Sequence, residues 1–116
     1  MTIRERQIGD VTLFDVEGRV TIQDGADAFR DALQGHIQSG DRKIVINLQN
    51  VPYLDTTGLA EIVRAYTSIT RRGGALKLIH LSPHVHHVLK ITKLLTVFDT
   101  YDDEAAAMKS FSQATV

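Results

Sequence analysis

The chain has 116 residues, which is enough for one domain with one hydrophobic core but not for two. Its 13 basic and 14 acidic side chains give a net charge of −1, which argues against nucleic acid as a direct partner. Because the chain contains no cysteine, disulfides, cysteine metal sites and thiolate nucleophiles are excluded.

The hydropathy of the chain predicts a cytoplasmic protein. The amino-terminal residues carry charges and no apolar run, so they do not resemble a secretory signal. No stretch approaches the ~18 consecutive apolar residues that a membrane span requires, so we expect no membrane span.

The first half of the chain predicts three strands. Residues 3–8 and 11–17 form a predicted hairpin around the turn signal Gly9-Asp10. Residues 43–48 are almost all apolar, which is typical of a parallel strand covered on both faces.

Two amphipathic helices are predicted on either side of that third strand. Asp24 is the predicted N-cap of the first helix, which ends at Gly40, and its apolar residues recur with 3-4-4 spacing: Ala26, Phe29, Leu33 and Ile37. The second helix begins near Thr57 and ends at Gly73-Gly74. Its predicted core face consists of five residues: Leu59, Ile62, Val63, Tyr66 and Ile69.

The last third of the chain predicts two further strand–helix pairs. Residues 75–81 form a strand, and Ser82-Pro83 opens the third helix with a capping serine and a proline at its first position. Val97-Phe98 predicts a short last strand, and the acids Asp102-Asp103-Glu104 open a final helix. We expect the tail beyond Ser112 to fray.

Alternation of strands and helices predicts the α/β class and a largely parallel sheet. The element order is β-β-α-β-α-β-α-β-α. We therefore expect residues 1–116 to form a single domain, a mixed sheet of four to five strands flanked by about four helices.

The tetrapeptide Asp55-Thr56-Thr57-Gly58 is the main candidate for function. It lies where a buried strand gives way to a helix, the edge at which open α/β sheets usually place their sites. Any of its three polar residues can serve as an ordinary helix cap. Alternatively, one of the threonines accepts a phosphoryl group, because a helix N-terminus favours negative charge. The pattern of residues leaves both alternatives open.

Other chemistries find little support in the sequence. His84 and His87 are one helical turn apart, but one pair of histidines falls short of a metal site, so a solvated helix face is favoured. A scatter of basic residues is likewise interpreted as solvated surface: Lys43, Arg64, Arg71 and Arg72. No nucleophile–base pattern and no phosphate-binding glycine loop is present, so we expect neither an enzyme nor a cofactor.

Three segments resemble STAS domains, the family of bacterial anti-sigma factor antagonists. They are VINLQNVPYLDTTGLAEIVRAY, EGRVTIQDGADAFRDAL and RRGGALKLIHLSPHVHHVLKITKLLTVFDTYDDEAAAM. The resemblance implies a partner-switching protein. Its unphosphorylated form binds an anti-sigma factor that is a serine/threonine kinase with a histidine-kinase-like ATPase fold, and thereby frees a sigma factor. The kinase phosphorylates the hydroxyl after the acid, and a phosphatase resets the switch.

The resemblance assigns roles to individual residues. Thr56 matches the phosphoacceptor. The implied partner-binding residues lie around it: Thr21, Asp24, Tyr53, Leu54, Asp55, Thr57, Gly58 and Leu59. Two positions depart from the family pattern there, because Thr56 replaces the more common serine and Thr21 replaces a common acid. Lys93 replaces a common glycine after the third helix, and since a left-handed lysine is costly, we expect that helix to end differently.

One rival function keeps the same fold. STAS domains also serve as subunits of lipid-transport ATPase complexes or as modules of anion transporters. In that role the domain docks on its partner, and Thr56 lies in a contact surface without being phosphorylated.

Overall fold

Five strands form one sheet, and amphipathic helices pack against it. The computed structural model describes residues 1–113, in which the elements are β1 (Thr2–Ile8), β2 (Val11–Glu17), α1 (Ala26–Gln38), β3 (Lys43–Asn50), α2 (Thr56–Arg71), β4 (Ala75–Ile79), α3 (Pro83–Ile91), β5 (Asp99–Tyr101) and α4 (Glu104–Gln113). The strands lie in chain order, with β1 antiparallel to β2 and all other pairs parallel. The predicted α/β class and element order are confirmed.

The two faces of the sheet are covered unequally. Helices α1, α2 and α3 pack on one face, where the predicted α1 stripe of Ala26, Phe29, Leu33 and Ile37 is fully buried. Helix α4 covers part of the other face by packing Ala107 and Phe111 against residues of β2, β3 and β4. No helix within residues 1–113 is long and apolar enough to cross a membrane.

The predicted cap of the first helix is wrong. Gly25 precedes α1 with a φ of 93°, and no side chain caps this helix. Asp24 lies in the preceding turn, where its N–H donates to Oγ1 of Thr21 over 3.0 Å. Asp24 is therefore part of the connection between β2 and α1.

Two predicted strand boundaries are also wrong. Val97 and Phe98 do not form the last strand, because their N–H groups bond the carbonyl of Leu94 in a turn after α3. Phe98 is buried edge-on against Tyr66, with 5.1 Å between ring centroids, and its apolar character comes from this core contact. β4 ends at Ile79, two residues early, because His80 turns left-handed with a φ of 52°.

The core face of α2 differs in part from its prediction. Ile62 and Ile69 are buried as expected, whereas three predicted members are only partly buried: Leu59, Val63 and Tyr66. Ala65 and Glu61 are buried in addition, because α1 packs along that side of α2. The predicted fraying beyond Ser112 concerns mainly residues 114–116, which lie outside the described residues.

The third helix ends in a left-handed lysine, so the expectation of a different ending is wrong. Lys93 has a φ of 63°. The N–H groups of Lys93 and Leu94 donate to the carbonyls of Lys90 (3.1 Å) and Leu89 (2.9 Å), the two bonds of a Schellman motif. Leu94 packs against the core. These contacts offset the roughly 1–2 kcal/mol cost of a left-handed side-chain-bearing residue.

Candidate functional site

Two loops meet at the carboxyl end of the parallel strands. The segment after β2 lies beside loop 50–55, and three backbone hydrogen bonds join them: Gly18 N–H to Asn50 O (2.9 Å), Val20 N–H to Tyr53 O (3.1 Å) and Asp55 N–H to Val20 O (3.3 Å). The backbone therefore extends the pairing of β2 and β3 up to Asp55, the residue before α2.

Gly58 allows α2 to begin against this segment. A Cβ at position 58 would lie 2.3 Å from the carbonyl oxygen of Val20, a contact that no side chain can make. The close approach of the helix is thus to the connection after β2. Only glycine is compatible with this packing of the two backbones.

Asp55 is the residue that caps α2. Its Oδ1 accepts the N–H of Gly58 over 2.9 Å, and its Oδ2 accepts the N–H of Ile22 over 3.0 Å. These hydrogen bonds, from Ile22 and then Gly58, lower the pKa of Asp55, so the carboxylate is ionised at neutral pH. One side chain therefore both caps the helix and holds the opposite loop.

Because Asp55 caps the helix, neither threonine is needed for that task. Thr56 is exposed and Thr57 is half-buried. Neither hydroxyl forms a hydrogen bond with any residue among 1–113. Thr56 occupies the first position of α2, at the positive end of the helix dipole, where added negative charge is favoured. Of the two hydroxyls, that of Thr56 is the more accessible to a modifying enzyme.

Tyr53, three residues before Thr56, has a partly exposed side chain that contacts two neighbouring residues. The ring of Tyr53 lies 5.1 Å from the guanidinium carbon of Arg19 and 4.7 Å from the ring of His84. His84 also lies with Nε2 at 3.3 Å from the carbonyl oxygen of Leu54. These contacts fix Tyr53 while 40% of it remains exposed. His84 therefore positions Tyr53, and the described residues contain no cluster of three or more His, Cys, Asp or Glu suited to a metal.

The residues assigned by the resemblance fall into three groups. Asp24 and Tyr53 are exposed, whereas Asp55, Thr57 and Leu59 are half-buried. The others are buried: Thr21, Leu54 and Gly58. Thr21 is only 8% exposed, and its Oγ1 accepts the N–H of Asp24 in the turn before α1. That these residues contact a partner stays a prediction.

Ile22 was not singled out from the sequence. It is 70% exposed, and its backbone is held by Asp55. An apolar residue in a connection gives no periodic signal, so only the structure distinguishes it from a core residue. We call the exposed set around Thr56 the switch surface, and it consists of Arg19, Ile22, Asp24, Tyr53 and Thr56.

A family model described as the STAS domain matches residues 2–107. Among curated proteins, the chain is similar to an anti-sigma F factor antagonist of Paenibacillus polymyxa, with 32% identity over 65 residues, 56% of each protein. It is also similar to BtrV of Bordetella bronchiseptica, a putative anti-sigma factor antagonist, with 27% identity over 89 residues, 77% of each protein. The match thus spans about half the length of the first relative.

Two solved structures superpose on more than nine tenths of this chain. A putative anti-sigma factor antagonist from Thermotoga maritima superposes with a TM-score of 0.88 and 26% identity, over 93% of this chain and 92% of that one. The phosphorylated form of SpoIIAA, a Bacillus cell fate determinant, superposes with a TM-score of 0.75 over 94% and 99% of the two chains. At 14% identity, this second likeness shows the fold alone.

Proposed function

The chain belongs to the STAS domain family, and we propose that it is an anti-sigma factor antagonist whose partner binding is switched by phosphorylation of Thr56. In the unmodified state it binds an anti-sigma factor through the switch surface and so frees a sigma factor. The anti-sigma factor is a serine/threonine kinase that phosphorylates Thr56, and a phosphatase reverses the step. The protein acts by binding and performs no catalysis of its own.

This proposal rests on one observation at the start of α2: Asp55, and not Thr56, caps the helix. Asp55 supplies the cap and the loop contact, which leaves the Thr56 hydroxyl exposed and without a hydrogen bond among the described residues. A threonine that merely capped the helix would be engaged with a backbone N–H. An unengaged hydroxyl at an exposed helix start is suited to modification.

The physical effect of a phosphate at Thr56 falls on the partner. A phosphate adds a charge of about −1.5 to −2, which the positive end of α2 tolerates. Ile22 and Tyr53 expose apolar area close by. A partner that buries these side chains would have to desolvate the phosphate as well, and this penalty breaks the complex. The fold itself therefore does not need to change for binding to be lost.

The named relatives favour this function over docking in a transport complex. The curated proteins and the Thermotoga structure described above carry the name anti-sigma factor antagonist. A cytoplasmic site of action is consistent with this role. The transport alternative predicts the same surface but no phosphate on Thr56.

The direct test uses the kinase-like anti-sigma factor encoded nearest to this gene. After incubation with ATP, mass spectrometry should place one phosphate on Thr56, and Thr56→Ala should abolish it. Thr57→Ala is the matched control, because the neighbouring hydroxyl is removed while phosphorylation should persist. Thr56→Glu should lose binding to the anti-sigma factor. A phosphate on Thr57 in the wild type, or wild-type affinity of Thr56→Glu, would contradict the proposal.

Threonine as the acceptor has a measurable consequence. Its β-methyl group restricts χ1, which a kinase suited to serine has to accommodate. Thr56→Ser should therefore be phosphorylated at least as fast as the wild type, with binding in the unmodified state unchanged. A slower reaction of the serine variant would indicate a kinase adapted to threonine.

A further inference from the structure

Helices α1 and α2 enclose a basic groove on the side of the molecule away from α4. Its volume is about 390 Å³. Three arginines and no carboxylate line it, and the residues that matter are Arg30, Gln34, Val63, Arg64, Thr67 and Arg71. The sequence had suggested only a solvated face for Arg64 and Arg71.

The three arginines differ in how far their donors are engaged. Arg30 is paired with Asp27 and Asp31, each at 3.2 Å. Arg64 engages only Nη1, which donates to Oε2 of Glu61 over 2.8 Å. Arg71 forms no ion pair with any residue among 1–113. Since a guanidinium carries five N–H donors, Arg64 and Arg71 retain most of theirs for a ligand.

Glu61 holds Arg64 in place. This glutamate is only 3% exposed, and its Oε1 has no hydrogen-bond partner among the described residues. Burial of a carboxylate is costly unless it is paired, so the Arg64 contact is strongly favoured. Arg64 is 62% exposed and yet anchored at one edge, which lowers the entropy lost when it binds a second carboxylate.

The groove lies on the same side of α2 as Thr56. Thr56, Ala60, Arg64, Thr67 and Arg71 are spaced by four, four, three and four residues, which places them on one side of α2. Thr56 lies at the start of this stripe. Arg64 and Arg71 are two turns apart, about 10.5 Å along the helix axis.

We propose that the basic groove binds an acidic helical segment of the same partner that covers the switch surface. Carboxylates two turns apart on that segment meet Arg64 and Arg71, and Val63 contacts an apolar side chain between them. The inference rests on the proposed function for the identity of the partner. It also gives the phosphate a second effect, because a negative charge at Thr56 lies in line with the bound acidic segment and repels it.

The groove can be tested without the kinase. The probes are two synthetic alanine-rich helical peptides, one with glutamates seven residues apart and one with glutamines at the same positions. Backbone amide shifts of the ¹⁵N-labelled protein at low salt should change along α1 and α2 with the glutamate peptide only. Arg71→Glu should weaken this binding about fivefold or more, the value of roughly 1 kcal/mol for an exposed ion pair.

Lys109→Glu is the matched control. Lys109 is exposed on α4, which packs on the opposite face of the sheet, and the substitution changes the net charge by the same amount. It should leave the peptide affinity within twofold of the wild type. Equal losses in both variants, shifts outside α1 and α2, or no difference between the two peptides would overturn the proposal. Because the readout involves no phosphorylation, failure of the Thr56 assay and failure of the groove are separate results.

Discussion

At the carboxyl end of the parallel strands, backbone hydrogen bonds and the carboxylate of Asp55 hold two loops together. The side chains of Ile22, Tyr53 and Thr56 consequently remain exposed. At the amino end of the parallel strands, side-chain contacts hold the neighbouring segments together instead. His36 of α1 lies 2.8 Å from Asp41 through Nδ1 and 2.5 Å from Glu5 of β1 through Nε2.

We call the contacts among Glu5, Thr12, Phe14, His36 and Asp41 the amino-end network. The hydroxyl of buried Thr12 lies 2.8 Å from Oδ2 of Asp41, and the ring of Phe14 meets the His36 ring edge-on at 5.2 Å between centroids. Each of these polar side chains thus has a partner within the fold. A surface can therefore be rigid and still available to a partner when its backbone, and not its exposed side chains, carries the structure.

The largest expected effect is at Gly58. Gly58→Ala would place a Cβ against the carbonyl of Val20, so the helix and the connection have to separate. We expect a loss of about 3 kcal/mol in the free energy of unfolding, as for overpacked positions. Chemical denaturation measures it.

Gly35 provides the control for that experiment. It lies within α1, and a Cβ there would meet no atom within 4 Å. Gly35→Ala should stabilise the protein by up to about 1 kcal/mol through helix propensity. Equal stabilities of the two variants would show that the loops at the carboxyl end are not held by close backbone contact.

A smaller effect is expected on binding when an exposed apolar side chain of the switch surface is removed. Ile22→Ser should weaken binding to the anti-sigma factor about tenfold, near the ~1.5 kcal/mol lower bound for burying such a side chain. The free energy of unfolding should change by less than ~0.5 kcal/mol. Calorimetry and denaturation measure the two quantities separately.

Ile91→Ser is its counterpart away from the switch surface. Ile91 is 63% exposed at the end of α3, close to the 70% of Ile22. This variant should bind like the wild type. A comparable loss of affinity in both variants would remove the distinction between the two ends of the molecule.

Lys93 offers a gain in stability of about 1 kcal/mol. Lys93→Gly keeps the Schellman bonds and removes the steric cost of the left-handed conformation. Lys90→Gly, one turn earlier in the regular helix, should instead destabilise by up to about 1 kcal/mol. Thermal unfolding of both variants measures the difference in sign, and a loss in Lys93→Gly would contradict the assignment of strain.

The amino-end network should make stability depend on pH. Burial lowers the pKa of His36, but hydrogen bonds to Glu5 and Asp41 outweigh it and raise the pKa above 6.5. The contribution of His36 is therefore fully present below about pH 6.5 and is lost as the pH rises through the higher folded-state value.

Unfolding free energies across this pH range should reveal that loss in the wild type. His36→Gln should remove it, while partner binding to the switch surface stays unchanged. An unaltered pH profile in His36→Gln would show that the histidine does not carry the charge in this network.

Much of the architecture is predictable because local patterns produce it. The 3-4-4 spacing in α1, the hairpin turn at Gly9-Asp10 and the Ser82-Pro83 start of α3 all depend on residues within one turn of each other. The errors occur where a distant contact overrides the local pattern. Phe98 is of a residue type that favours strands, but its contact with Tyr66 holds it in a turn. The strand β5 begins one residue later.

Hydrophobic periodicity and capping preferences are local, so the amino-acid sequence alone predicts that Asp55-Thr56-Thr57-Gly58 lies between a buried strand and a helix. It left open which of the three polar residues caps the helix. The folded chain resolves the choice, since Oδ2 of Asp55 accepts the N–H of Ile22, 33 residues earlier in the chain, while Oδ1 caps the helix. Exposure of Ile22 and burial of Glu61 were likewise decided by which segments fold against each other, and no local pattern encodes that contact.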